Sequence, residues 1–133
     1  MNKTNITKRI VTGVMALALA TSTMVVPCVQ AQSWTSAGSK ITLTSTDNGA
    51  SIIASVKNTT NLTYTNRATI VTTKADGSTV QKTTGKVSTS PSSSIATTQS
   101  RMANAKSYVT HGYCYKTDSS YYDSLSKVIS GSN

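Results

Sequence analysis

The sequence predicts an all-β domain, a small antiparallel sandwich or barrel, set behind an export signal. Three observations carry this expectation. Well over a third of the residues from Gln32 onward are Ser or Thr, and Thr, Val, Ile and Tyr are the residues that fit a pleated, half-buried surface. Apolar and polar residues alternate in several short runs, the period of a strand with one buried face. Turn sequences rich in Gly, Asn and Asp separate those runs at the short spacing of sandwiches and barrels. Leu, Ile and Val make less than a fifth of the same region, close to the disordered range. The core is therefore expected to be thin.

Residues 1–31 read as a secretory signal peptide. Lys3, Lys8 and Arg9 give a positive start, residues 10–26 are mostly apolar, and Val29-Gln30-Ala31 fits a small-residue cleavage rule. The apolar run is interrupted by Thr12, Gly13, Thr21, Ser22 and Thr23, whereas spanning a bilayer takes roughly 20 mostly apolar residues. Cys28 follows Pro27 rather than the small residue expected before a lipidated cysteine. Residues 32–133 are then a single secreted β-domain that does not span a membrane.

Within it, residues 32–39 read as a loose leader anchored by Trp34. Lys40–Thr46 alternates Ile41 and Leu43 with polar Thr42 and Thr44, and Asp47-Asn48-Gly49 is a strong turn signal. Ala50–Lys57 returns with Ile52, Ala54 and Val56 on one face. Leu62–Lys74 is a long strand with Leu62, Tyr64, Ala68 and Ile70 in phase. Ala75-Asp76-Gly77 turns into Ser78–Val87, where Gly85 marks a bulge. A Ser-rich loop surrounds Pro91. Ile95–Tyr115 is one long strand, or two strands broken near His111-Gly112, and Ala103 and Ala105 point to close packing on another sheet. Tyr121, Tyr122, Leu125, Val128 and Ile129 follow helical spacing. A short C-terminal helix over residues 120–129 is expected, opened by Ser120 with Asp123 and closed by Gly131.

The inventory of reactive groups is short. The chain of 133 residues has a net charge of +9, no Phe, no Glu, four Asp, one His and two Cys. Removal of the signal leaves Cys114 alone, so no internal disulfide is expected, and a buried apolar role suits it. His111 and Cys114 lie three apart and point to opposite faces of a strand, which suits neither a catalytic dyad nor a zinc site that would need Asp118 or Asp123 as well. No nucleophile elbow, phosphate loop or dinucleotide fingerprint occurs. No catalytic residue, metal or cofactor is expected.

Tyr108, Tyr113, Tyr115, Tyr121 and Tyr122 crowd into one stretch beside Lys106 and Lys116. Tyrosine offers an apolar body and a polar tip. Such a cluster either closes a core that lacks Phe or supplies a contact surface for a sugar or protein. The cations are scattered along the chain rather than run together, unlike a nucleic-acid binder. They favour solubility, protection of strand edges (Lys57, Lys74, Lys82 and Lys86) and attraction to anions. The expected function is a secreted, non-catalytic β-domain at the bacterial cell surface, weakly binding anionic wall polymers, glycans or lipid headgroups, with these five tyrosines, Lys106 and Lys116 as candidate contacts. The alternative is a basic antimicrobial polypeptide: in length class, export signal and general composition the chain is similar to lactococcin-like bacteriocins. A small hydrolase is the least favoured reading.

Overall fold

The computed structural model describes residues 31–131. The export signal read over residues 1–31, including Cys28, lies outside the described residues apart from Ala31. Nine strands follow in order: β1 (Gln32–Ala37), β2 (Ile41–Asp47), β3 (Ser51–Asn58), β4 (Tyr64–Lys74), β5 (Thr79–Thr83), β6 (Val87–Thr89), β7 (Ser94–Ser100), β8 (Ala105–Tyr115) and β9 (Tyr121–Ser130). They form two sheets, β1-β2-β3-β7 and β5-β4-β8-β9, with short β6 also pairing β4. Every pairing is antiparallel. The sheets stack face to face and are not closed into a barrel, so the fold is the sandwich form of the expected class.

The β2–β3 hairpin forms where its alternation and turn residues put it. Gly49 takes a φ of 88°, a left-handed conformation that glycine adopts without steric cost. The Asn48 side chain accepts the backbone N–H of Ala50 at 3.0 Å and of Ser51 at 2.8 Å. Ile41, Leu43, Ile52, Ala54 and Val56 all point inward and are fully buried. The facing sheet contributes Ala68, Ile70, Tyr108, Cys114 and Ile129. At Gly112 the two sheets approach so closely that a Cβ would lie 2.9 Å from Val56 Cγ2 and 3.3 Å from Leu43 Cβ.

Polar groups also cross the interior. Ser45 and Thr110 share a buried hydroxyl–hydroxyl hydrogen bond of 2.6 Å between the sheets. Arg101 holds Asp47 through both Nε and Nη2. Asp123, on β9, accepts the N–H groups of Ser39, Lys40 and Ile41 at 2.9, 2.7 and 3.0 Å and the Ser39 hydroxyl at 3.1 Å. This carboxylate ties the β1–β2 turn to the opposite sheet. Gly38 sits against it, where a Cβ would fall 2.5 Å from its Cγ.

Several expectations are corrected. Residues 120–129 are not a helix but β9, which buries Asp123 and Ile129 and half-buries Leu125 and Lys127. A register shift between Cys114 and Tyr115 sets both Tyr121 and Tyr122 opposite the end of β8. Tyr122 and Val128 are exposed, so the helical spacing came from apolar residues that do not share one face. The leader is strand β1, paired to β2 from Gln32 to Ala37. The 95–115 segment breaks at Arg101–Asn104, not at His111-Gly112, and its halves lie in different sheets. Ala105 is buried as expected, whereas Ala103 is exposed. Leu62 is 59% exposed, ahead of β4. Part of the Ser-rich loop forms β6.

Candidate functional site

The tyrosines separate by strand parity, because side chains two apart share a face and odd steps change face. Tyr108 points inward with Thr110, Gly112 and Cys114. Its ring is fully buried and its hydroxyl accepts the Met102 N–H at 2.7 Å. It closes the core and cannot meet a partner. Lys106 is exposed but lies at the start of β8, roughly 30 Å of extended chain from Lys116. The structure does not bring these two lysines together.

Tyr113, Tyr115 and Tyr121 do come together on the outer face of the second sheet, where Tyr115 is itself buried beneath Arg67, Lys86 and Tyr121. Tyr113 and Tyr121 have ring centroids 5.0 Å apart, and Tyr115 and Tyr121 5.1 Å. His111, two residues before Tyr113, continues the row with its ring stacked at 5.7 Å. The β4–β8 register sets Arg67 opposite Tyr113, and its guanidinium lies 4.7 Å from the Tyr113 centroid and 5.7 Å from that of Tyr115. Lys86, from the segment before β6, places its ammonium 4.4 Å from the Tyr115 centroid.

The bulge at the start of β9 turns Tyr122 to the neighbouring rim. There it meets Tyr64 edge-on at 5.5 Å. Lys40 Nζ lies 5.5 Å from the Tyr64 centroid and 5.4 Å from that of Tyr122, and Lys116 Nζ lies 5.4 Å from the same Tyr122 ring. One corner of the sandwich, around the β8–β9 turn, thus collects Lys40, Arg67, Lys86 and Lys116 on five tyrosines. Each cation over a ring is stabilised by about 0.5–1 kcal/mol at an exposed site. Tyr64, Lys40, Arg67 and Lys86 are not legible as site residues because they come from other elements, whereas His111 lies inside the tyrosine run on β8 and is weighed in the sequence only beside Cys114. The β4–β8 register was the missing information.

The electrostatics are one-sided. Asp118, nearest in sequence to Lys116, accepts the Ser120 N–H and hydroxyl, and these bonds hold its carboxyl below the ordinary value. Burial pushes Asp123 up, but the N–H groups of Ser39, Lys40 and Ile41 outweigh it and leave the carboxyl lowered. Burial likewise opposes a net lowering of Asp47 by Arg101 and Gly49. Asp76 is held low by Ser78. The one ion pair within reach among the described residues is Arg101–Asp47. All four Asp carboxylates are hydrogen-bonded within the chain, and among the described residues no corner cation has a carboxylate in ion-pair reach, although the charge of Lys116 also lowers Asp118.

His111 and Cys114 lie on opposite faces of β8. Burial, with Arg67 nearby, holds the His111 imidazole below its usual pKa. Cys114 is buried and its thiol is pushed up to about 11, mainly by burial. Among the described residues no three His, Cys, Asp or Glu side chains gather as metal ligands.

No family model and no curated protein matches the chain. Among solved structures, it is similar to a beta-glucuronidase from glycoside hydrolase family 2, with a TM-score of 0.37, 10% identity and coverage of 75% of this chain and 11% of that one. It is also similar to a Bacteroides uniformis beta-glucuronidase, with a TM-score of 0.38, 13% identity and coverage of 75% and 13%. The chain thus spans only a small part of the length of these enzymes.

Proposed function

We propose that this protein is a secreted, non-catalytic β-domain that binds anionic polymer at the bacterial cell surface through the tyrosine–cation corner. The observation that carries this reading is the gathering of Lys40, Arg67, Lys86 and Lys116 on the tyrosines with no carboxylate in ion-pair reach among the described residues, while each Asp is hydrogen-bonded within the chain. A surface of one sign raises the local concentration of oppositely charged ligands. The tyrosines support this by holding long cationic side chains against their rings, which reduces the rotamer freedom lost on binding. Because His111 and Cys114 face opposite ways, the corner holds no activated nucleophile of the Cys–His kind.

Retention of the purified protein on isolated bacterial cell walls tests this reading. Retention at low salt that falls steeply as salt is raised is the expected result, since screening weakens exposed charge interactions. Failure to bind walls at low salt would overturn it.

A further inference from the structure

We infer that the Lys40–Lys116 pair on Tyr122 is a clamp for phosphate groups, so that the bound polymer is a phosphate-bearing one. The inference rests on the anionic-polymer reading above and narrows it. Both ammonium groups lie 5.4 Å from the centroid of one ring, so they are separated by at most about twice that distance. Two cations within that distance are in reach of one polyanionic segment, and among the described residues neither has a carboxylate in ion-pair reach.

The geometry favours phosphate over the alternatives. Carboxylate presents two coplanar oxygens and is matched by the planar fork of arginine, whereas lysine acts on phosphate as a point charge. Ammonium groups that come from two separate turns to one ring suit an anion whose oxygens diverge in space. Lys40 is fixed in place by its own N–H, which donates to Asp123 at 2.7 Å. Lys116 is fixed by the β8–β9 turn, where its N–H donates to Ser120 O at 2.7 Å. Neutral sugars are a poorer match. Such ligands stack on open aromatic faces, but cations already lie over Tyr64, Tyr113, Tyr115 and Tyr122.

The test is equilibrium binding of the full protein to soluble linear polyphosphate and to polygalacturonate, a carboxylate polymer, across a salt series. Phosphatidylglycerol vesicles form a third arm. The Lys40→Gln/Lys116→Gln variant is compared with Lys57→Gln/Lys106→Gln, which removes equal charge elsewhere. The expected results are tighter binding of polyphosphate than of polygalacturonate and a loss of about tenfold in the clamp variant only. The slope of log affinity against log salt should also shrink by about 1.4, from two phosphate contacts at roughly 0.7 each. Equal losses in both variants would reduce the clamp to net charge and overturn it. Equal binding of the two polymers would overturn phosphate preference while leaving the anionic reading intact. Binding to vesicles but not to polyphosphate would overturn a polymer ligand. Binding to no anion would overturn both readings. Circular dichroism of each variant confirms that the sandwich is intact before binding is scored.

Discussion

Asp123→Asn is the substitution whose consequence follows most directly from the fold. One carboxylate oxygen takes Ser39 N–H and Oγ–H, and the other takes the N–H groups of Lys40 and Ile41. An amide keeps one acceptor and turns the other position into a donor facing donors. A hydrogen bond to a charged acceptor contributes about 1.5–3 kcal/mol. Losing two such bonds is partly offset because a neutral amide no longer has to be buried as an ion. The expected net cost is about 2–3 kcal/mol, which for a domain of this size lowers Tm by roughly 10–20 °C. Urea unfolding followed through Trp34 fluorescence measures it. The pH dependence gives a second readout. The folded Asp123 pKa lies below its ordinary value of 3.8, so its stabilisation is complete above the unfolded pKa and fades as pH falls through the folded one. The wild type should lose stability below about pH 4 more steeply than the variant, which retains only the smaller acid response of groups such as Asp47. A variant within about 0.5 kcal/mol of wild type, or one with the same acid loss, would refute the assignment of Asp123 as the tie between the sheets.

Three further outcomes follow from the same structure. Gly112→Ala places a methyl against Val56 and Leu43 and should destabilise by about 1–3 kcal/mol through overpacking, measured by denaturant midpoint. Asn66 is fully buried and neither side-chain polar atom has a partner among the described residues, so Asn66→Leu should raise stability by about 1–3 kcal/mol in the same assay; a loss would show that the amide is satisfied. Cys114 should resist thiol reagents at neutral pH in the native protein and react on unfolding, because its thiol is buried and its pKa is raised to about 11; rapid native labelling would contradict its place in the core.

The legible parts of the fold were those whose inward positions are apolar. In β2 and β3 the run Ile41, Leu43, Ile52, Ala54 and Val56 could be read directly, and the Asn48-Gly49 turn joined them. The illegible parts have polar residues at inward positions. In β9 the inward row is Asp123, Leu125, Lys127 and Ile129, so two polar members hid the alternation, while exposed Tyr122 and Val128 imitated helical spacing. In β8 the inward row runs through even-numbered Tyr108 and Cys114, out of phase with the odd-numbered inward row of β7. His111-Gly112 resembled a break, yet Gly112 is the point where only a residue without a side chain allows the sheets to meet. For the candidate site, the tyrosine crowding was visible in the sequence. Which rings face outward depended on locating the break at Arg101–Asn104. Which cations reach them depended on register between strands far apart in the chain, and periodicity carries no such information.

In the proposed function, position and not net charge alone confers anion binding. The most direct measurement is salt-resolved retention on isolated cell walls for two charge-matched variants, one with Lys40, Arg67, Lys86 and Lys116 changed to Gln and one with Lys57, Lys74, Lys82 and Lys106 changed to Gln. The corner variant is expected to lose retention at salt concentrations where the scattered variant still binds. Equal loss in the two would contradict the claim and leave only a basic surface.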